Sequence, residues 1–199
     1  MRLPEKYRYR AYLVAKRWFD LGISSVAIIL LAIPMLIIAI VIKLDSPGAI
    51  WRQEVRIGSR VRGKGGRKSW EAKGIVLHEF RTTSEADPNS ITRIGGVLRR
   101  FSLHKLPRLI NVWRDDISLV GPSPALPSEV DRYSTAEFRR LEAKQGWFGW
   151  SQLKAPADAA FEQILAFDVW YADNANLWLD AKILLLTPIA VLRNNRAAP

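Results

Sequence analysis

Residues 21–42 run Leu-Gly-Ile-Ser-Ser-Val-Ala-Ile-Ile-Leu-Leu-Ala-Ile-Pro-Met-Leu-Ile-Ile-Ala-Ile-Val-Ile, 22 positions without one charged side chain. As a helix this stretch is about 33 Å long at ~1.5 Å per residue, enough to cross a hydrocarbon core of about 30 Å. The run reads as a membrane segment, and two features decide how it sits. Pro34 lies past its middle, where it donates no backbone hydrogen bond and denies the Leu30 carbonyl its partner, so the helix bends. Basic residues flank both sides: Arg2, Lys6, Arg8, Arg10, Lys16 and Arg17 before, and Lys43, Arg52, Arg56, Arg60, Arg62, Lys64, Arg67 and Lys68 after. Positive-inside bias places both clusters on the cytoplasmic face, which a single crossing forbids. A helix that enters, breaks near Pro34 and returns satisfies both; an ordinary single span is the alternative.

The charge is unevenly placed. Residues 1–70 hold 14 Lys and Arg against 4 Asp and Glu, whereas residues 115–199 hold 8 against 11. The basic part is therefore the membrane-proximal part, and anionic phospholipid is the partner it fits; nucleic acid is not expected. The chain has no cysteine, which excludes disulfides and thiolate metal sites. The apolar run is too long for the core of a signal peptide, and Lys43 and Asp45 stand where a cleavage site would be, so it is read as retained.

Residues 1–20 interleave Tyr7, Tyr9, Tyr12, Trp18 and Phe19 with arginines and lysines, the pattern of a helix lying in the headgroup layer. Ala49–Ile57 reads as a short strand, and residues 58–74 as a basic, glycine-rich loop. Its Gly58–Lys64 stretch has the spacing of a phosphate loop but is followed by Gly65 where Ser or Thr is needed, so it is read as solvated. Ile75–Phe80 is strand-like. Ile91, Ile94, Val97 and Leu98 recur at helical spacing, leaving Arg93, Arg99 and Arg100 on another face. Ser102 is the expected N-cap of a helix turning Leu103, Leu106, Leu109, Ile110 and Trp113 inward, with His104 and Lys105 in its first turn. Ser118-Leu119-Val120 is a short buried strand, Gly121–Pro124 a rigid turn and residues 128–144 a charged helix. Residues 145–150 are expected to be a loop whose aromatics contact the membrane or a stacking partner. Phe161–Tyr171 is amphipathic, and Ile183–Leu192 is too short to span a bilayer.

The expected architecture is α/β. Residues 1–44 form an interfacial helix and a re-entrant membrane hairpin. Residues 45–199 form a small, mostly helical cytoplasmic domain with a few short strands and interfacial amphipathic helices. Ser24, Pro34, Trp147 and Trp150 are the candidate membrane positions.

The order of motifs points further: Lys16–Asp20, the proline-broken run, Trp51-Arg52-Gln53-Glu54, Glu79-Phe80-Arg81-Thr82, Thr92-Arg93-Ile94-Gly95 and Leu98–Leu103. It continues with Leu106-Pro107, Asn111-Val112, Ser118–Pro122, Gly149-Trp150-Ser151-Gln152 and Leu177-Trp178-Leu179-Asp180. Over nearly its whole length the chain resembles the bacterial sugar transferase family of monotopic phosphoglycosyl transferases. The resemblance implies location at the cytoplasmic face of the bacterial inner membrane. It implies transfer of a sugar 1-phosphate from a nucleotide sugar to polyprenyl phosphate in polysaccharide assembly. It also implies a reaction in which the Asp of a Leu-Asp-Glu-Leu-Pro motif attacks phosphorus while magnesium balances the charge.

Here that motif reads Leu103-His104-Lys105-Leu106-Pro107. The usual Lys-Phe-Arg is Glu79-Phe80-Arg81, and the usual Gly-Pro-Arg-Pro is Gly121-Pro122-Ser123-Pro124. Substitutions gathered on reactive positions imply a retained fold with impaired chemistry, a pseudoenzyme acting as scaffold or as partner of another membrane protein or an active transferase. The alternative is an active enzyme with His104 as nucleophile, magnesium being required only in that case. Arg81, Arg99 and Arg100 are the candidate phosphate-binding residues.

Overall fold

The apolar run is the middle of one long helix. The computed structural model describes residues 5–62, 70–85, 87, 89–156 and 158–193, and its first helix, α1, spans Glu5–Asp45 with Pro34 inside it. The expected interfacial helix and two hairpin arms are thus a single helical element. A proline removes one donor and bends the axis, while the turns on either side keep their own hydrogen bonds, so helix persists through it. Among the described residues α1 is the one helix long and apolar enough to cross a membrane.

One face of α1 is covered by the rest of the chain. Ile23, Ala27, Ile28 and Leu31 pack on the main core, and Met35, Ile38 and Ala39 on a second core that holds Ile42, Phe80 and Leu98. Steps of three and four keep these positions on one stripe. The other stripe is bare: Val26, Ile29, Leu30, Ile33, Leu36, Ile37 and Ile40 are each 51% exposed or more. An apolar surface of this extent exceeds what a monomer ordinarily shows to water.

Both flanks of the run are tied down. Arg17 donates to the carbonyls of Val112 (2.9 Å) and Trp113 (2.7 Å), and Asp20 accepts from the Leu119 amide at 3.0 Å. Lys16 reaches Asp180 at 2.7 Å, and Asp180 also accepts from the Tyr171 hydroxyl at 2.6 Å. The Lys16–Asp20 and Leu177–Asp180 motifs, far apart in sequence, therefore meet in one buried network. On the far flank Ile42 is buried and Asp45 accepts from the Ile94 amide at 3.4 Å.

Strands β1 (Trp51–Arg62) and β2 (Trp70–Phe80) form an antiparallel hairpin with Trp51 opposite Phe80 and Val55 opposite Val76. Pairing resumes beyond an irregularity between Ile57 and Arg60, so the strand expected to stop at Ile57 continues to Arg62, and β2 begins at Trp70, inside the stretch expected to be a loop. Gly58 lies inside β1, whereas residues 63–69, and with them Lys64, fall outside the described residues. Ile75 and Leu77 enter the main core. The Asn111 side chain accepts from the His78 amide (2.9 Å) and donates to the Val76 carbonyl (2.7 Å), satisfying the open edge of β2 as a strand would.

Helix α2 (Arg93–Arg100) begins at Thr92, whose hydroxyl accepts from the Gly95 amide at 2.9 Å. Gly95 has to be glycine: a Cβ there would lie 1.9 Å from the Thr82 carbonyl oxygen. After α3 (Arg108–Trp113) comes β3 (Ser118–Val120), paired in parallel with β4 (Gly146–Phe148). The charged helix expected over 128–144 is two pieces, α4 (Pro127–Val130) and a 3-10 turn (Glu137–Glu142). Ser134 and Glu137 exchange capping bonds, restarting the chain as a new helical turn. The expected aromatic loop is β4 followed by α5 (Trp150–Lys154), with Trp147, Phe148 and Trp150 half-buried against the main core. Helices α6 (Phe161–Asn174) and α7 (Leu177–Arg193) complete the fold.

Candidate functional site at the His104–Lys105 turn

His104 and Lys105 do not open a long helix. Ser102 sits in the left-handed region (φ 56°) and its side chain caps nothing; Leu103–Lys105 is a separate 3-10 turn, and α3 starts only after Pro107. Proline fits the first turn of a helix, where its missing N–H costs nothing, so the chain restarts there rather than at Ser102. Trp113, expected inside, is 51% exposed.

His104 is buried, with Nδ1 3.2 Å from the Leu98 carbonyl. A carbonyl only accepts, so Nδ1 carries the proton and Nε2 the lone pair. Burial pushes its pKa below the usual imidazole value, and the cations of Lys105 and Arg108 act in the same direction, against the Leu98 carbonyl and Glu79. The unfolded imidazole takes up a proton near its ordinary pKa and the folded one only at lower pH, so stability falls as pH drops below about 6.5. Chemical denaturation of the detergent-solubilised chain at pH 7.5 and 5.5 is expected to show this loss, and His104→Gln to flatten it; an unchanged slope in the variant would assign the pH dependence elsewhere.

Around the turn stand two ion pairs. Glu79, on β2, accepts from Arg108 at the head of α3, and Glu54 accepts from Arg56 on β1 at 2.7 Å. Arg56 also lies 3.5 Å from the Pro124 carbonyl, bringing the Gly121–Pro124 turn beside the hairpin. Lys105 is half-buried; its backbone amide donates to the Ser102 carbonyl at 3.2 Å, and its ammonium makes no hydrogen bond or ion pair among the described residues. Its pKa is held down first by burial and then by Arg108 and Arg56, against Glu79 and Glu54, so that three cations face two carboxylates. The Nε atoms of Arg56 and Arg108 are buried without a hydrogen-bond partner.

The other expected phosphate ligands are placed differently. Arg81 is buried, and its guanidinium donates to the carbonyls of Ala49 (2.6 Å), Ser46 (2.9 Å) and Thr83 (3.1 Å), fastening the α1–β1 connection. Arg99 donates to the Thr82 hydroxyl at 2.9 Å, and exposed Arg100 lies over Phe101. Ser123 has its hydroxyl bonded by Gln152 (3.1 Å) and its carbonyl by Arg140 (2.8 Å). Of the candidate membrane positions, Pro34 is exposed, Ser24 is buried and bonded to the Leu21 carbonyl at 3.3 Å, and Trp150 stacks on Trp170.

Sequence reasoning passed over Arg56 and Arg108. Their signal was available: each is a cation set one to three residues from a motif position, but only the fold shows that β1 and the turn before α3 converge. The residues present do not fit a magnesium ion, which takes hard oxygen ligands. Positions 104 and 105 offer an imidazole and an ammonium, the two neighbouring carboxylates are each held by a guanidinium, and no group of three His, Cys, Asp or Glu suited to a metal occurs among the described residues.

Comparison with known proteins gives one consistent picture. The sequence model described as bacterial sugar transferase matches residues 11–194. The uncharacterized sugar transferase EpsL of Bacillus subtilis (strain 168) is 37% identical over 90% of this chain and 88% of the relative. The UDP-galactose-lipid carrier transferase of Erwinia amylovora is 35% identical over 92% of this chain, which spans 41% of that longer protein. The UDP-glucose:undecaprenyl-phosphate glucose-1-phosphate transferase of Xanthomonas campestris pv. campestris is 31% identical over 94% of this chain and 40% of the relative.

Proposed function

This chain belongs to the bacterial sugar transferase family, and we propose that within it the chain is a membrane-bound, non-catalytic member acting as scaffold or partner subunit in polysaccharide assembly. The observation that carries this reading is the site itself, where a buried imidazole and an unpaired ammonium stand among two guanidinium–carboxylate pairs. Such a set can hold an anion, but both of its carboxylates are engaged by guanidinium groups, so neither is free to act as nucleophile or metal ligand. The purified chain, free of other transferases and given labelled nucleotide sugar and polyprenyl phosphate with magnesium, is expected to release no nucleoside monophosphate. Turnover would overturn the reading.

A second reading rests on the His104 tautomer. With Nδ1–H fixed on Leu98, the Nε2 lone pair is the free one and burial keeps it unprotonated at neutral pH, as phosphoryl capture requires. An acid-labile phosphoramidate on His104, accompanied by release of nucleoside monophosphate, would establish it.

The two flanks of the apolar run also support a one-sided topology. Arg17 and Asp20 on one side, and Ile42 and Asp45 on the other, all contact the same folded part of the chain. A segment crossing a core of about 30 Å would have to part those contacts. Cysteines introduced at Arg10 and Gln53, both exposed, are expected to resist an impermeant thiol reagent in intact cells and to react after permeabilisation. Labelling of just one of them in intact cells would establish a single crossing.

A further inference from the structure

The misfit between this site and a divalent cation carries a consequence for what the site binds. We infer that Lys105, Arg108 and Arg56 form a metal-independent site for a phosphate or diphosphate group, with the protein's own cations in the place of a metal. The inference rests on the reading that the site retains binding without transfer.

Three observations converge on it. First, the three cations come from separate elements: Arg56 from β1, Lys105 from the 3-10 turn and Arg108 from the first turn of α3. Arg108 and Arg56 both lie close enough to Lys105 for their charge to act on it, so the fold assembles the three although mutual repulsion opposes it. Second, the two carboxylates present, Glu54 and Glu79, each engage one guanidinium through a single Nη2 contact, so the cluster keeps one uncompensated cation, half-buried Lys105. Third, Arg56 Nε and Arg108 Nε are buried N–H donors with no acceptor. A buried donor left unmet is costly, and an anion entering the cluster brings acceptors for such donors and balances the extra charge. An oxyanion with several acceptor oxygens fits this better than a carboxylate with two. The Glu79 substitution fits the same logic: with cations at 105 and 108, a carboxylate at 79 prevents the empty cluster from repelling itself apart and leaves the net charge at one.

The phosphate can arrive as a soluble nucleotide or on a lipid, and the test separates them. The full chain in nanodiscs of zwitterionic lipid is titrated calorimetrically with pyrophosphate and with uridine diphosphate, each in EDTA and in excess magnesium. In parallel, nanodiscs with and without a polyprenyl monophosphate are compared by thermal unfolding in EDTA. Binding of at least one ligand in EDTA is expected, unchanged within about threefold or weakened by magnesium, since the metal competes for the phosphate charge. Lys105→Gln is expected to weaken it about tenfold, and Arg108→Gln similarly; Lys154→Gln, whose ammonium lies over the Trp150 ring on α5, serves as the reference. Should Arg108→Gln fail to fold through loss of the Glu79 pair, Lys105→Gln alone decides, because the Lys105 ammonium holds no partner. Binding that appears only with magnesium, no binding of any of the three ligands, or binding indifferent to Lys105 each overturns the inference. Product formation in the transfer assay would remove the non-catalytic reading while leaving metal-free binding to stand or fall by these titrations.

Discussion

Exchanging Arg140 for methionine is expected to lower the unfolding free energy by about 3–5 kcal/mol, the range for removing one partner of a buried ion pair and leaving the other stranded. Arg140 donates to Asp168 through Nε (3.1 Å) and Nη2 (2.5 Å), to the Tyr133 hydroxyl, and to the Ser123 carbonyl at 2.8 Å. Both charged groups are almost wholly buried, with side-chain exposures of 5% and 1%. Burial already pushes the Asp168 carboxyl above the usual carboxylate range, and Arg140 opposes that shift. Without the guanidinium the folded pKa climbs further above the unfolded one, so the folded variant favours the protonated acid. Its penalty is therefore small at low pH and grows as pH rises through the raised value, giving a larger loss at pH 8 than at pH 5. Denaturant titrations of the detergent-solubilised chain read both effects, and Arg140→Met with Asp168→Leu should regain most of the loss by removing both charges. A loss under about 1 kcal/mol, or one independent of pH, would show that the pair contributes little.

This pair was invisible in the sequence for a physical reason. Arg140 lies in a charged stretch whose residues, read alone, belong on a solvated face, and nothing local marks the one that turns inward to a carboxylate on α6. Lys16, Asp20 and Asp180 were legible as motif members, yet their role needed the fold, because the Lys16 ammonium finds its carboxylate across almost the whole chain. Apolar patterns fared best: α2 follows from its helical spacing and β3 from a short apolar run, whereas the run in α1 is apolar all round and carries no mark of the face that the fold covers. Boundaries set by single side chains fared worst. Ser102 has the chemistry of an N-cap, but its left-handed backbone and the following Pro107 move the start of α3. At Pro34 a local rule predicted a break, and the surrounding turns carried the helix through. The aromatics after Gly146 suggested an outward surface, and the parallel pairing of β4 with β3 turns them against the core instead.

Placing an acidic pair at positions 104 and 105 is expected to restore chemistry far more fully when Glu79 changes with it. The native chain should be silent in the transfer assay: loss of a carboxylate nucleophile and of a metal each removes on the order of several kcal/mol of barrier lowering, and about 1.4 kcal/mol is tenfold in rate. His104→Asp with Lys105→Glu supplies a nucleophile and oxygen ligands. It also places two new carboxylates beside Glu79 and Glu54, reversing the charge of a cluster that has to receive a diphosphate. Adding Glu79→Lys returns a cation to that edge and frees Arg108, which Glu79 holds in the native chain, to face the carboxylate introduced at position 105. The triple variant is therefore expected to exceed the double variant at least about tenfold in kcat/KM, a difference of about 1.4 kcal/mol, with its activity abolished by EDTA. Equal rates for the two variants would mean that Glu79 is a bystander to the reaction. Silence in both, with folding intact by denaturation, would place the remaining defect at Ser123, where the turn beside Arg56 lacks the guanidinium that Gly-Pro-Arg-Pro would bring, and Ser123→Arg in the triple background would then be the variant that turns over.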